Sequence, residues 1–527
     1  MFAAVVVVLL TAMLSNASTA LAIEPPSVDP ALVPEDGTPG PDQAMRQSNV
    51  CAQAISVAEP DVGLPAPGFA MLDIAKAWQY STGNGVAVAV IDTGVNPHPR
   101  LPVVPGGDYI MGGDGLTDCD AHGTIVASLI SAAPNGAPMP PPMPPVPAFP
   151  PPAAGPPTTA GPPPPGIPDS PAVPQSTVPS TAEAPAGGSD ELEPNGAEAP
   201  PPVAPDGVAG VAPDGVAGVA PHATVISIRQ SSRAYEPERP EPGDIEMRRK
   251  AGTVATLARA IVHAADLGAN VINVSVTACV SAADPLDQRT IGAAVWYAAT
   301  VKDAVIIAAA GNEGEDGCAQ NPVFNPLDTN DIRDWKHVRT ISSPSWFSDY
   351  VLSVGAVDNT GAPLGKSLAG PWVGTAAPGV GIMGLSPQTG RPVNAYPPIR
   401  PGENDMPFWG TSFSAAYVSG VAALVRAKYP QLTAHQVISR ILQTTHNPPR
   451  GVDNQVGYGL VDPVAALTFD VPPGDRQAPD SQTRIVTPPS PPSPPDHRAR
   501  TVAMAFAGAV VAALMLTSAL RRVRRAR

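Results

Sequence analysis

Positive charge and cysteine are both scarce in this sequence, and each shortage narrows the range of possible functions. Lys and Arg number 31 against 46 Asp and Glu, so the net charge is −15. Because nucleic acids are bound by basic surfaces, we expect no nucleic-acid partner. The four cysteines include no C-x-x-C pair, which disfavours a thiolate metal site. We predict neither a metal nor another cofactor.

Proline is abundant instead and is concentrated in two stretches, residues 133–221 and 471–500, out of 71 prolines in 527 residues. Such segments bury too little apolar surface to offset the entropy of ordering the chain. We predict that 133–221 is a disordered insert, which includes the tandem octapeptides Val203–Gly210 and Val211–Gly218. Residues 471–500 are predicted to be a linker. The remainder, about 300 residues, suffices for one large core.

Three short segments provide a carboxylate, an imidazole and a hydroxyl in chain order. Asp92 follows a short apolar run, His122 precedes Gly-Thr, and Ser412 follows Gly-Thr. These are the parts of a charge-stabilised nucleophile, and the order Asp, His, Ser is that of subtilisin. Between base and nucleophile, an apolar strand leads into Gly-Asn312, whose side-chain amide is suited to stabilise an oxyanion.

The residues around these side chains predict where each lies in the fold. The run Val86–Ile91 is typical of a strand buried on both faces of a parallel sheet, with Asp92 at its carboxyl end. Helices are predicted to start at His122 and at Ser412. The amides and dipole at the start of the second helix favour the negative charge of a tetrahedral intermediate.

The chain thus resembles the subtilases, which implies an α/β fold of three layers, α/β/α, with a mainly parallel sheet. The resemblance also implies a serine endopeptidase. Asp92 would orient His122, which would act as general base and then as general acid. Ser412 would attack the substrate, and Asn312 would bind the oxyanion.

Two further segments are expected to form the substrate cleft by the same resemblance. Ser275, at the end of the predicted strand 270–276, would belong to one wall. Ala308, Ala309 and Gly311 would form the facing wall and pair with an extended peptide, as an added strand does.

Three carboxylates, Asp114, Asp118 and Asp120, crowd the approach to His122. They suggest a cation site, but their spacing is not that of an EF-hand loop. We therefore interpret this segment as a solvated acidic loop.

Four cysteines allow three disulfide pairings, and the predicted order of strands selects one of them. Cys279 and Cys318 each follow a predicted strand, and these strands, joined by a helix, should be parallel neighbours with adjacent carboxyl ends. We therefore predict the bridges Cys279–Cys318 and Cys51–Cys119. The second bridge would tie an N-terminal extension, residues 23–70, to the loop before His122. That extension is predicted to wrap the peptidase domain, residues 71–470.

Both ends of the chain have features of membrane targeting. Residues 1–22 end in Ala-Leu-Ala after an apolar run, which is typical of a secretory signal peptide, although no Lys or Arg precedes that run. Residues 501–520 are uncharged and long enough to cross a bilayer. The five arginines of 521–527 predict a cytoplasmic tail and hence a single-pass type I protein with its catalytic domain outside the cell membrane. The alternative, that 501–520 is a buried helix, leaves the arginines unexplained.

This combination of segments resembles the mycosins, the membrane-anchored subtilases of mycobacterial type VII (ESX) secretion systems. Within that family, the long insert after the His122 helix points to the mycosin of the fifth ESX system. The resemblance implies protein substrates and association with the secretion membrane complex. Two functions are therefore expected as alternatives: a processing protease, or a structural component of the complex whose proteolysis is dispensable.

Overall fold

The computed structural model describes parts of the chain between residues 23 and 479. The described ranges are 23–136, 138–142, 213–239, 252–283, 287–315, 317–323, 331, 333–400, 402–448 and 451–479. The described residues up to Ala478 belong to one compact unit. The predicted signal peptide, most of the predicted insert and the segment 501–520 lie outside these ranges. No helix inside them is long and apolar enough to cross a membrane.

The helices and strands of the described ranges are numbered in chain order. The helices are α1 (Pro67–Met71), α2 (Ile74–Ala77), α3 (His122–Ser131), α4 (Val254–Asp266), α5 (Arg289–Trp296), α6 (Thr411–Lys428), α7 (Ala434–Gln443) and α8 (Pro463–Thr468). The strands are β1 (Met45–Gln47), β2 (Ala87–Asp92), β3 (Val103–Asp108), β4 (Thr224–Arg229), β5 (Tyr235–Pro237), β6 (Val271–Val274), β7 (Ala278–Ser281), β8 (Val305–Ala309), β9 (Thr340–Ser343), β10 (Val351–Val357), β11 (Val373–Pro378), β12 (Gly384–Leu385), β13 (Pro392–Val393), β14 (Ala395–Tyr396) and β15 (Met406–Pro407).

A seven-stranded sheet forms the centre of the fold, in the order β11-β10-β8-β6-β2-β4-β3. Every neighbouring pair is parallel. Strands β6, β8 and β10 consist entirely of buried residues, which is the pattern of strands covered on both faces. The mainly parallel sheet predicted from the sequence is confirmed.

Helices cover both faces of this sheet. Val88 and Val90 of β2 belong to an apolar cluster that includes residues of α3, α6 and α7. Ala89 and Ile91 point to the other face and belong to a cluster with residues of α4 and α5. The result is the predicted arrangement of three layers. Helix α6 lies deepest, since each of its residues up to Ala427 is buried.

The elements that carry the predicted site begin and end close to the predicted positions. Asp92 is the last residue of β2, His122 is the first residue of α3, and α6 begins one residue before Ser412. Strand β6 is shorter than predicted because it ends at Val274. Ser275 therefore lies just beyond the sheet.

The N-terminal extension contacts the peptidase core at separate places. Asp36 lies 2.8 Å from Nδ1 of His263 in α4. Further along the chain, β1 pairs antiparallel with β5. Cys51 is then disulfide-bonded to Cys119, in the loop before α3. The extension thus follows the surface from α4 to the neighbourhood of His122.

The last residues of the predicted insert belong to the core, which corrects its boundary. Asp214 forms an ion pair of 2.8 Å with Arg100, and these side chains are only 5% and 4% exposed. Val216 and Val219 are buried as well. The composition of the segment could not reveal this, because the octapeptide Val211–Gly218 is identical to the one before it. What decides its packing is its position directly before β4.

Candidate active site

Asp92 is fully buried at the carboxyl end of β2. Its Oδ1 accepts a hydrogen bond from the backbone N–H of Thr93 (2.7 Å) and lies 2.8 Å from Nδ1 of His122. Its Oδ2 has no partner among the described residues. The imidazole therefore compensates a buried charge, and the contact fixes Nδ1 as the protonated ring nitrogen, which leaves Nε2 free to accept a proton.

His122 begins α3 at a point where the helix approaches the end of β2 closely. A Cβ on Gly123 would lie 2.1 Å from the carbonyl oxygen of Gly94, so a side chain at Gly123 would force the two segments apart. On its other side, the imidazole lies against the ring of Phe413, with 5.1 Å between the ring centroids. His122 thus contacts the first turn of α6, which carries Ser412.

Asp118 is buried, which corrects the interpretation of this segment as a solvated loop. Its Oδ1 accepts a hydrogen bond from Oγ1 of Thr93 (2.9 Å). Its Oδ2 accepts hydrogen bonds from the backbone N–H and from Oγ1 of Thr124 (2.8 and 2.7 Å). Thr93 follows Asp92, and Thr124 lies in the first turn of α3. The Asp118 carboxylate therefore joins the two elements that position the carboxylate and the imidazole.

The other two acidic residues of the segment have local roles. Asp120 accepts hydrogen bonds from Oγ of Ser232 and from the backbone N–H of Arg233. Asp114 is exposed and accepts one from the backbone N–H of Leu116 (2.9 Å). Within the described ranges, no group of three or more His, Cys, Asp or Glu side chains is arranged to hold a metal ion.

Ser412 lies in the first turn of α6, and its hydroxyl contacts the segment that follows β6. Its Oγ donates a hydrogen bond to the carbonyl oxygen of Ser275 (2.9 Å). The Oγ of Ser275 in turn donates to Oδ1 of Asn273 (2.7 Å). In the part of the chain that the structure describes, the Ser412 hydroxyl has no hydrogen bond to His122. It must turn from Ser275 to the imidazole before it can transfer a proton.

Asn312 follows β8, and its side-chain amide is oriented by α6. Its Oδ1 accepts hydrogen bonds from the backbone N–H (3.0 Å) and from Oγ1 (3.1 Å) of Thr411, the residue before Ser412. Its Nδ2 is thereby presented as a donor and binds Oε1 of Glu315 (3.2 Å). Gly410 has a φ of 145°, and a Cβ there would lie 3.3 Å from this Nδ2. Glycine at that position keeps the space beside the amide open.

The predicted pairing of a substrate with Ala308 and Ala309 is wrong. Both residues lie in β8, which is an internal strand between β6 and β10, so their backbone groups already pair within the sheet. Gly311 is also engaged, because its N–H donates to Oγ1 of Thr411 and its carbonyl oxygen accepts from the N–H of Leu368. These residues can border a cleft, but they cannot add a strand.

Charge and burial act in opposite directions on the imidazole. Burial lowers the pKa of His122, but the charge and hydrogen bond of Asp92 raise it, and the net pKa lies above the ordinary value of 6.5. The charge of Asp118 adds to this rise. Burial raises the pKa of Asp118 itself to about 7, although its hydrogen bonds from Thr124 and Thr93 act to lower it.

Two disulfides fix loops beside the site, and they are the two that the sequence predicts. Cys51–Cys119 lies three residues before His122. Cys279–Cys318 joins β7 to the turn that follows Asn312. The two predicted strands, β6 and β8, are parallel neighbours as expected. Cys279 itself lies in β7, which pairs with β9 outside the central sheet.

These residues together provide a carboxylate–imidazole pair, a hydroxyl at a helix start and a side-chain amide beside that hydroxyl. This arrangement is suited to acyl transfer through a serine nucleophile. Sequence reasoning missed Glu315, and it named Asp118 but placed it in a solvated loop. The site therefore contains more acidic groups than the motifs indicate.

Comparison with known sequences assigns the chain to one family. The Subtilase family matches residues 189–459, a range that includes Asn312 and Ser412 but not Asp92 or His122. Mycosin-2 of Mycobacterium tuberculosis is 62% identical, over 98% of this chain and 96% of its own length. Mycosin-5 of the same organism is 48% identical, over 97% and 94%. These identities give no preference to the fifth system, which the insert had suggested.

Comparison with solved structures agrees. MycP1 from Mycobacterium smegmatis superimposes with a TM-score of 0.68 at 39% identity, covering 87% of this chain and 98% of that one. A chain in the structure of an intact ESX-5 inner membrane complex also has a TM-score of 0.68, at 45% identity and with 94% and 99% covered. The chain therefore belongs to the mycosins, serine proteases of the subtilase family.

Proposed function

We propose that Asp92, His122 and Ser412 are the catalytic residues of this protease and that it cleaves protein substrates through an acyl-enzyme. The observation that carries the proposal is the 2.8 Å contact between the buried Asp92 carboxylate and the His122 imidazole. The same imidazole lies against Phe413, in the helix turn that carries Ser412, and its Nε2 is not engaged by Asp92.

Catalysis begins when the Ser412 hydroxyl leaves the carbonyl oxygen of Ser275 and donates to Nε2 of His122. Its oxygen attacks the scissile carbonyl carbon, and its proton passes to the imidazole. The tetrahedral intermediate then collapses, and the imidazolium gives the proton to the leaving amine. A water molecule, activated by His122 in the same way, hydrolyses the acyl-enzyme. Asp92 stabilises the imidazolium in both halves of the reaction.

Negative charge develops on the carbonyl oxygen of the substrate during each attack. The Nδ2 of Asn312 and the backbone N–H of Ser412 are the donors for this oxygen. Loss of such an amide donor in a related site costs about 10²- to 10³-fold in turnover, as measured in subtilisin. The two hydrogen bonds from Thr411 to Oδ1 of Asn312 hold the amide in place, so little reorganisation is needed.

The substrate peptide is proposed to lie along the segment that begins at Ser275. This segment leaves the sheet at the end of β6, and residues 276 and 277 are half-buried and not part of a strand. An extended peptide can pair with such a segment as an added strand. Ala308, Ala309 and Gly311 are buried behind this part of the fold and would support the cleft rather than pair with the peptide.

Labelling with a fluorophosphonate tests the catalytic assignment. The purified domain should be labelled at Ser412, and Ser412→Ala should abolish labelling. Ser414→Ala is a matched control, because this serine lies in the same turn but its hydroxyl donates to the carbonyl oxygen of Pro378. His122→Ala should also lose reactivity, whereas His446→Ala, an exposed histidine, should not. Normal labelling of His122→Ala contradicts the assignment.

The protein is further proposed to associate with a type VII secretion membrane complex and to process secreted proteins there. Support comes from the similar chain within the ESX-5 inner membrane complex, which matches 94% of this sequence. The alternative is a structural role in which proteolysis is dispensable. Strains that carry Ser412→Ala should accumulate uncleaved secreted proteins but should still assemble the membrane complex. Deletion of the whole protein should abolish both the cleavage and the assembly of the complex. Unchanged cleavage patterns with Ser412→Ala would favour the structural role alone.

A type I membrane topology is proposed for the whole chain. The two disulfides support an oxidising location outside the cytoplasm. The segment 501–520 would anchor the protein, with 521–527 in the cytoplasm. The full chain should therefore resist extraction from membranes by alkaline carbonate, and a chain that ends at Ala478 should be extracted. Equal extraction of both would refute the anchor.

A further inference from the structure

The side chain of Glu315 is hydrogen-bonded to the Asn312 amide that is proposed to bind the oxyanion. Its Oε1 accepts a hydrogen bond from Nδ2 of Asn312 (3.2 Å). The backbone of this turn is fixed, because the N–H of Glu315 donates to the carbonyl oxygen of Asn312 and the N–H of Cys318 donates to that of Glu315. Cys318 is itself held by its disulfide to Cys279. The carboxylate can leave Asn312 by rotation of its own side chain.

This carboxylate is not required to orient the amide. The Oδ1 of Asn312 already accepts two hydrogen bonds from Thr411, and these determine the plane of the amide group. Glu315 binds only the N–H that the reaction needs. A substrate oxyanion at Nδ2 would also meet a second negative charge at close range, which is unfavourable. Glu315 and the transition state therefore compete for one donor.

A second partner for Glu315 lies near the same carboxylate oxygen that Asn312 binds. Nη2 of Arg233 is 3.6 Å from Oε1 of Glu315, and the Arg233 side chain is 82% exposed. The backbone of Arg233 is well anchored, because its N–H donates to Oδ1 of Asp120 (2.7 Å) and its carbonyl oxygen accepts from Nδ2 of Asn49 (2.9 Å). Asp120 lies two residues before His122, and Asn49 belongs to the N-terminal extension. The guanidinium is thus positioned to hold Glu315 once it leaves Asn312.

We propose that Glu315 is a displaceable anion that occupies the oxyanion donor of the free enzyme, and that Arg233 holds it away when a substrate is bound. This inference rests on the proposed role of Asn312 and Ser412. It adds a residue that restrains the reaction and a second residue that relieves the restraint. The extension takes part, because it fixes the backbone of Arg233.

The rate of fluorophosphonate labelling at Ser412 tests this inference. In that reaction the Ser412 oxygen forms a bond to phosphorus, fluoride leaves, the proton goes to His122, and the phosphoryl oxygen gains negative charge beside Asn312. Glu315→Ala should label faster than wild type, by about two- to fivefold, the range of a partly exposed charge–charge contact. Glu315→Gln should be intermediate, because its carbonyl still accepts from Asn312 but is uncharged.

Arg233→Ala should slow labelling, because Glu315 then has Asn312 as its partner at all times. In the Glu315→Ala background, at a pH well above the pKa of His122, the same Arg233→Ala change should have no effect; the high pH is needed because the charge of Arg233 also lowers the pKa of His122. Glu313→Ala is the matched control: it removes an exposed carboxylate from the same turn and should leave the rate unchanged. A Glu315→Ala enzyme that labels at the wild-type rate or more slowly would overturn the inference, as would an equal acceleration by Glu313→Ala.

The outcomes separate this inference from the proposed function. If wild-type Ser412 does not label at all, the catalytic assignment fails. If Ser412 labels but Glu315→Ala brings no acceleration, only the role of Glu315 fails. Melting temperatures of the variants should equal that of wild type, since Arg233 is exposed and Glu315 is about one-third exposed.

Discussion

Two carboxylates act on the one imidazole of the site in different ways. Asp92 contacts Nδ1 of His122 directly, whereas Asp118 acts through its charge and through the hydroxyls of Thr93 and Thr124. Because both carboxylates favour the protonated imidazole, both raise the pKa of His122. The imidazole must be neutral to accept a proton from Ser412. Activity is therefore expected to fall as the pH falls through this raised pKa.

Asp118→Asn should shift the acid limb of the pH–rate profile to lower pH. Where Asp118 is ionised, the variant removes a negative charge that raises the pKa of His122. The shift should be small, because the pKa of Asp118 is itself about 7 and its charge is partly lost over the acid limb. The maximum rate should also fall, by about tenfold or more, because an amide cannot accept hydrogen bonds at both of its ends from Thr93 and Thr124. Labelling rates measured between about pH 5 and 9, the range in which histidine titrates, would show both effects.

Asp114→Asn is the control for this experiment, since Asp114 is an exposed carboxylate of the same segment. Its profile should match that of wild type. An unshifted acid limb for Asp118→Asn in a protein of normal melting temperature would show that Asp118 has no electrostatic effect on His122.

The sequence identified Asp92, His122, Ser412 and Asn312 because each stands in a short motif at the end of a strand or the start of a helix. Asp118 was not identified as buried, because a carboxylate among glycines and other acids has no local pattern that distinguishes it from a solvated one. Its burial depends on two threonines, one of them 25 residues away. Only the assembled fold brings those hydroxyls together.

Close packing at the level of elements is most evident where α6 meets the segment before β4. Gly420 of α6 lies against Val219, and a Cβ on Gly420 would lie 2.5 Å from the Val219 Cβ. Val219 is fully buried and directly follows the second octapeptide. The glycine therefore permits a contact between two elements that are 201 residues apart, the difference between positions 420 and 219.

Gly420→Ala should destabilise the protein even though alanine is the better helix former. Alanine favours a helix interior by about 1 kcal/mol over glycine, but overpacking of a buried contact costs about 1–3 kcal/mol. The net loss should be visible in the free energy of unfolding measured with urea. Val219→Ala should rescue the Gly420→Ala variant only in part, because it removes the methyl groups at 2.9 and 3.2 Å but keeps the Cβ at 2.5 Å. A Gly420→Ala protein more stable than wild type would show that the helix can shift at no cost.

The strands and helices at the site could be predicted because apolar runs and small residues have clear periodicity. Their ends were less predictable: Ser275 follows β6, although the apolar pattern continues past it. One partner of β8 was predicted, since the strands before Cys279 and Cys318 were expected to be parallel neighbours and β6 does pair with β8. The other partner, β10, could not be foreseen. Whether Ala308 and Ala309 face a substrate or a neighbouring strand depends on the position of β10, which lies about 40 residues further along the chain.

At the scale of the whole molecule, contacts between residues distant in sequence hold the N-terminal extension to the peptidase core. The bridge Cys51–Cys119 closes a loop with a sequence separation of 68 residues. On the chain-entropy estimate, such a cross-link stabilises the folded state by about 4 kcal/mol. Its removal should therefore lower the melting temperature markedly without removing any catalytic residue.

A Cys51→Ala/Cys119→Ala double variant tests this expectation. Thermal unfolding should begin earlier, and labelling of Ser412 at low temperature should persist. Peptide mapping without reduction should find Cys51 joined to Cys119 in the wild type. A Cys51 joined instead to Cys279 or Cys318 would contradict both the pairing and the tethered extension.

The boundary of the Pro-rich insert can be tested by two deletions that differ only at their edges. The backbone N–H of Asp214 donates to the carbonyl oxygen of Asn135 (3.2 Å), so the chain leaves and re-enters the core at adjacent points. A linker of about 12 Gly and Ser residues can therefore replace 143–212, and the cost of closing a loop depends only weakly on its length. We expect this variant to have nearly the wild-type melting temperature and to label normally at Ser412.

Replacement of 136–215 by the same linker should behave differently, because it removes Asp214 and leaves the Arg100 guanidinium buried without its counter-ion. Breaking a buried pair in this way costs about 3–5 kcal/mol. Asp214→Asn in the otherwise intact chain should reproduce much of the loss, which separates the ion pair from the length of the deletion. If the 143–212 replacement itself lowers the melting temperature by several degrees, that segment packs on the domain and the prediction of disorder is wrong. If both deletions are tolerated, the Arg100–Asp214 pair contributes nothing and residues 213–215 are not part of the core.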